Sequence, residues 1–241
     1  KFIMDNYNQY SMPQSVGGVK AATDVKKFML SVYNWMTFGL GITALVSFGV
    51  YRIEPLMNII YSNPGIVWGI FIVQIITVLI ISAGINKIPS IVAMGLFLFY
   101  SFLTGVTFSI LFLVYTASSI SFTFFICAAM FASVSVFGYI TRIDMTRWGG
   151  FLLMALFGLI IASVVNIFLE SSFIYWLTSY AGVIIFVGLT AYDTQRIKNT
   201  GMFVDSESES GKKAAVMGAL QLYLDFINLF LYLLRFLGNR K

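Results

Sequence analysis

The sequence predicts an all-α polytopic membrane protein with seven transmembrane helices, and three observations lead there. Of its 241 residues, 59% are hydrophobic and 10% charged, against about 25% charged in an ordinary soluble domain. The apolar residues gather into seven runs of bilayer-crossing length, about 17 to 25 residues each. Lipid offers the backbone no hydrogen-bond partners, so such runs must satisfy themselves as helices rather than as open strands.

Taken in order, the first run covers about 28–51, FMLSVYNWMTFGLGITALVSFGVY, and ends at Arg52. Ahead of it, residues 1–27 form a polar tail containing Pro13, Gly17 and Gly18. The tail has neither an apolar core nor a small-residue cleavage site, so the first span is expected to act as its own targeting signal. The second run, about 65–85, and the third, about 91–115, are separated by the short segment NKIPS. A fourth run, about 119–140, holds Cys127, the only cysteine, which excludes an intramolecular disulfide and a cysteine metal cage. The fifth run, about 149–169, and the sixth, about 173–195, follow at short intervals. Between the sixth and seventh runs, TGMFVDSESESGKK at about 199–213 is rich in acids and serines and is expected to be a solvated loop. The seventh run, about 214–237, closes a transmembrane domain of about 28–238. Short connections make neighbouring spans antiparallel, which places the last two side by side. Glycines such as Gly39, Gly105, Gly138, Gly149 and Gly182 recur in the spans. They are expected to let helices approach closely.

Orientation follows from the basic residues. If the N-terminal tail and the connections after the second, fourth and sixth spans share one side, that side holds eleven Lys and Arg against four on the other. The positive-inside rule then puts the N-terminus in the cytoplasm. The net charge of +5 is mostly this bias, and nothing supports nucleic-acid binding. With no Asn-X-Ser/Thr sequon in the chain, the reading favours a bacterial cytoplasmic membrane, with the endoplasmic reticulum as the eukaryotic alternative.

The candidate functional residues are two acids in adjacent spans. Asp225 lies in the middle of the seventh run and Asp193 near the end of the sixth. Inserting a carboxylate at the centre of a span costs about 2.5 to 3.5 kcal/mol on translocon scales, so such residues mark function or a partner. On the seventh span Gly218, Gln221, Asp225, Asn228 and Tyr232 recur at spacings of three and four, which aligns them on one helical face. Thr190 and Asp193 share a face of the sixth. Two neighbouring carboxyls cannot both ionise freely and therefore share a proton. The chain has no histidine, so pH sensing near neutrality falls to such a pair. Protonated, the pair bridges the helices. Doubly ionised, it repels and offers hard oxygen ligands of the kind Ca²⁺ prefers, a transient site at Asp193 and Asp225.

Two segments, GLTAYDTQRIK around Asp193 and LQLYLDFINLFLYLLRFLG around Asp225, resemble the signature stretches of the Bax inhibitor-1 family, especially its bacterial members. The resemblance covers residues 20–238. It implies six helices surrounding a central C-terminal one, and a pH-sensitive calcium leak through the membrane. It implies that Asp193 and Asp225 are the hydrogen-bonded pH sensor that closes the pore. It further implies a basic latch on the pair, for which SAGINKIPS offers Lys87, with Arg196 a second candidate. Where some bacterial members carry a glutamate in the second span this chain has Gln74, and the acid of the third span in eukaryotic members has no counterpart in SFLTGVT. Gln221, Asn228, Tyr232 and Thr190 are the expected pore or stripe lining. No cofactor is expected; Ca²⁺ is the permeant ion, and the partners are membrane lipid and membrane proteins.

Other classes fit less well, and no enzyme is expected. An intramembrane aspartyl protease would match Tyr192–Asp193 but needs a Gly-X-Gly-Asp setting that YLDF does not provide. A rhomboid-type protease and a zinc hydrolase need histidine, and a retinal protein needs a lysine in the last span. The competing reading is a regulatory membrane protein that acts on a membrane protease or a cell-death or stress partner without conducting ions.

Overall fold

The computed structural model describes residues 14–241, with side chains from Asp24 onward; the part of the tail before Gln14 lies outside the described residues. Among the described residues the chain is helical and forms no β-strand. The elements are α1 (Gln14–Arg52), α2 (Glu54–Tyr61), α3 (Pro64–Gly84), α4 (Ser90–Phe108), α5 (Leu111–Val114), α6 (Ala117–Ile140), α7 (Thr146–Leu169), α8 (Ser172–Gly201) and α9 (Glu209–Leu237). Seven segments are long and apolar enough to cross a membrane: Asp24–Arg52, Pro64–Gly84, Ser90–Val114, Ala117–Ile140, Thr146–Leu169, Ser172–Gly201 and Glu209–Leu237. They match the seven apolar runs one for one.

Local chemistry sets the helix starts. Asn63 caps α3, its side chain accepting from Gly65 N at 3.2 Å with Pro64 in the first turn. Thr116, Ser171 and Ser208 cap α6, α8 and α9 in the same way. Each occupies the N-cap, where a short oxygen side chain satisfies a free amide of the first turn. The connection from α7 to α8 is tight, and it places Glu170 in the left-handed region at φ 50°. Ser171 N then donates to Asn166 Oδ1 at 3.0 Å.

Several boundaries differ from the apolar pattern, each for a physical reason. The helix of the first span begins at Gln14, and α8 and α9 run into the polar 199–213 segment, leaving only residues 202–208 between them. Hydropathy marks where lipid ends, whereas a helix continues as long as its backbone bonds and caps allow. The 52–64 connection contains the short α2, whose Met57 and Ile60 are buried with Val50 and Val106 in a satellite core. The third span is broken at Ser109 and Ile110 into α4 and α5. There the hydroxyl of Tyr61 lies 3.0 Å and 3.1 Å from the carbonyls of Val106 and Thr107. A break at membrane depth is tolerated when a neighbour satisfies the freed backbone.

The C-terminal helix α9 is the most buried span, 67% of its apolar window against 39% for the next. Its principal neighbours are α8, α1, α6 and α4, while α3 rests mainly on α4 and α7 on α8. Tyr223, Leu220, Leu222, Leu229 and Leu234 are almost wholly enclosed. The outward faces are as apolar as the core: Phe168 is 82% exposed and Phe125 and Ile91 are 72% exposed. Such a surface requires lipid around it. Helix approach then depends on packing and small residues rather than on hydrophobic expulsion. At Gly138 a β-carbon would strike the backbone of Ala191, and at Gly182 it would strike the ring of Tyr232.

Connections 85–89, 141–145 and 202–208 lie together at one end of the bundle, hereafter the basic end. At the other end the chain after α9 pairs with the α5–α6 connection. Thr116 N donates to Asn239 O at 3.1 Å and Lys241 N to Val114 O at 3.0 Å.

Candidate functional site

Residues 193 and 225 meet. α8 and α9 pack along their length, helped by Gly182 against Tyr232 and by Gly218 against Ile197. Asp225, 5% exposed, points from the middle of α9 toward α8. The half-buried carboxyl of Asp193 lies within hydrogen-bonding reach of it. Asp225 Oδ2 is buried and has no partner able to donate to it. Both groups are acceptor-only when ionised, so one proton between them is what this geometry lacks and what would satisfy it.

The surroundings separate the two latch candidates. Arg196, three residues beyond Asp193 and exposed, is the cation whose charge acts on it. Lys87 is exposed in the 85–89 connection and is not among the charges acting on either aspartate. The neighbouring Lys198 is held elsewhere, with Nζ 2.8 Å from Tyr139 O. Among the described residues no three His, Cys, Asp or Glu side chains cluster as a metal cage. A divalent ion reaching the pair would find two carboxyls and would have to keep water in its remaining positions.

A cavity of about 730 Å³ enters from the basic end and stops at Gly218 and Gln221, one helical turn short of Asp225. Asn86, Arg196, Glu209 and Lys213 stand around its mouth. Glu209 also closes one side of it, accepting from Ser90 N at 2.5 Å and Ser90 Oγ at 2.8 Å and so tying the start of α9 to the start of α4.

The polar stripe of α9 is dispersed among different neighbours. Gln221 lines the entry cavity. Asn228 donates to Leu224 O at 2.8 Å and borders a crevice of about 370 Å³ beside Gln74 and Thr104. Tyr232 packs its ring on Gly182 and stacks on Phe186 at 5.9 Å. Thr190 is fully buried, with its hydroxyl returned to Phe186 O at 2.7 Å. The aspartates are brought together, with Gln221 leading to them, whereas Tyr232 and Thr190 fill the helix interface.

Two hydroxyl networks escaped the sequence reading. On the far side of α9 from Asp225, Tyr223 shares a 2.6 Å hydrogen bond with Thr43, whose hydroxyl also lies 2.9 Å from Ser101 O. Gln74 Nε2 donates to Thr104 Oγ1 at 3.2 Å nearby. On the α1–α6–α8 side, Tyr33, Ser135 and Thr194 form a chain with steps of 2.5 Å and 2.9 Å. Single Ser and Thr residues in apolar spans carry little pattern. The usable signal was Tyr223, a polar-tipped ring two residues from Asp225.

A family model described as inhibitor of apoptosis-promoting Bax1 matches residues 25–241. The chain belongs to the Bax inhibitor-1 family. It is 45% identical over 230 residues to the inner membrane protein YbhL of Escherichia coli K12, covering 95% of this chain and 98% of that one. An uncharacterized protein of Borreliella burgdorferi is 46% identical over 215 residues, 89% of this chain and 93% of its own length. An uncharacterized membrane protein of Streptococcus pyogenes serotype M1 is 35% identical over 218 residues, with the same two coverages. Together with the seven spans, these relatives establish a multi-pass membrane protein of the Bax inhibitor-1 family.

Proposed function

We propose that this Bax inhibitor-1 family protein is a pH-sensitive calcium leak pathway of a bacterial inner membrane, N-terminus in the cytoplasm, gated by Asp193 and Asp225. The observation that carries the reading is the meeting of the two carboxyls across the α8–α9 interface, with one oxygen of Asp225 buried and undonated. When the pair holds its proton, a hydrogen bond bridges the helices and the path from the entry cavity stays shut at Gln221. As pH rises the proton leaves, two like charges face each other in a poorly solvated setting, and the helices separate. The freed carboxylates then present hard oxygens to a passing Ca²⁺, which keeps part of its water. Arg196 tunes the step by stabilising the ionised Asp193, and the basic end faces the cytoplasm.

Purified protein in liposomes loaded with a calcium-sensitive dye tests this. Flux rises with pH in the native chain, and the rise disappears in Asp193→Asn and Asp225→Asn. Absence of flux at every pH, or an unchanged pH profile in both variants, would overturn the reading and favour a regulatory protein that acts through membrane partners.

A further inference from the structure

α1 and α6 both rest on α9 but pack little on each other: α1 lies mainly on α4, α9 and α8, and α6 on α8 and α9. The seam between them stays open to the bilayer as a groove of about 680 Å³ whose floor includes Phe226 of α9. Small residues, Ala128 and Ala132, keep the α6 wall low. Past Leu40 and Phe124 the groove joins a second cleft of about 270 Å³ that reaches Ser47.

Length and charge indicate the occupant. From Lys26, which lines the mouth at the basic end, to Leu40 the wall of α1 runs fourteen residues, about 21 Å of helix rise. That carries it from a headgroup to the midplane of a hydrocarbon core about 30 Å thick, the reach of one acyl chain. Lys26 is exposed at the mouth and Lys27, also exposed, follows it in sequence, so two cations stand at the headgroup end of the groove. Further in, Tyr33 and Ser135 already bond each other, so these hydroxyls do not call for water in the groove. We propose that the groove is a binding site for one anionic phospholipid of the surrounding bilayer, an acyl chain against Phe226 and the phosphate at Lys26 and Lys27. Phe226 follows Asp225, and Ser135 is bonded to Thr194, which follows Asp193. The lipid therefore lies one residue from Asp225, through Phe226, and two from Asp193, through Ser135 and Thr194, although the site itself does not depend on ion conduction.

The test is native mass spectrometry of the full chain, extracted in mild detergent and offered equal phosphatidylglycerol and phosphatidylethanolamine. The native protein retains one phosphatidylglycerol in preference, about fivefold for each lysine engaged. The double variant Lys26→Gln, Lys27→Gln, altered only at exposed positions, loses the headgroup preference. Ala132→Trp, which places an indole in the groove, loses the retained lipid, while Val164→Trp on the exposed face of α7 keeps it. Equal retention of both lipids by the native chain, no effect of the lysine pair, or a dimer that Ala132→Trp dissociates would overturn the proposal, the last by making the groove a contact between copies.

Discussion

Replacing Asp225 with asparagine tests the gate at its smallest change. The side chain keeps its shape, but the amide Nδ2 now donates to Asp193 at every pH, where the native pair needs a proton to do so. A hydrogen bond to a charged group is worth about 1.5 to 3 kcal/mol. At about 1.4 kcal/mol per factor of ten, that displaces the open–closed equilibrium by roughly 10- to 150-fold. Only Oδ2 of Asp225 is both fully buried and undonated, which sets the effect at one such bond. Flux into dye-loaded liposomes from Asp225→Asn should therefore fall, at alkaline pH, to the acid baseline of the native protein and stay flat across the titration. Size-exclusion profile and circular dichroism should match the native chain. A variant that folds, conducts and keeps the native pH dependence would refute the role assigned to the pair.

Three further outcomes follow from packing and capping. Gly138→Ala should destabilise the bundle by about 1 to 3 kcal/mol, the usual cost of overpacking, because the added carbon strikes the backbone of Ala191 rather than a movable side chain; a thermal-shift assay in detergent reads it, and an unchanged midpoint would show that α6 and α8 have slack there. Thr43→Val leaves the enclosed Tyr223 hydroxyl without its 2.6 Å partner and should cost about 1 to 3 kcal/mol, whereas Tyr223→Phe added to it should recover part of the loss. Outside the membrane spans, the Thr146 side chain first, and then Thr146 N, which donates to Asp144 Oδ1 at 3.0 Å, hold the Asp144 carboxyl below its usual range. A depressed carboxylate stabilises the fold above its ordinary value of about 3.9 and loses that contribution as pH falls through the folded value; Asp144→Ala should thus be less stable than native near neutrality, with the difference closing in strong acid.

Much of the architecture was legible because a bilayer imposes one rule on every residue of a span. Seven apolar runs gave seven spans, and the 3.6-residue period placed Asp225 on an inward face. The break at Ser109 was not legible, because Tyr61, which satisfies it, lies far away in sequence on a helix too short for hydropathy to mark. The pairing of Asp193 with Asp225 could be anticipated from adjacent spans and a short connection. The fate of the stripe could not, since a shared face does not say what stands opposite each residue: Gln221 meets a cavity and Tyr232 meets a glycine. The two latch candidates show the same limit, because Lys87 and Arg196 look alike in sequence while Arg196 is the one whose charge acts on Asp193.

The central claim is that one proton shared by Asp193 and Asp225 holds the path closed. Infrared difference spectroscopy on aspartate-labelled protein in the same liposomes used for flux measures that proton directly. The claim requires a protonated-carboxyl band that vanishes as pH rises, is missing or displaced in both single asparagine variants, and has a midpoint coinciding with the rise in Ca²⁺ flux. A band that persists while flux rises, or one that survives in both variants, would contradict it.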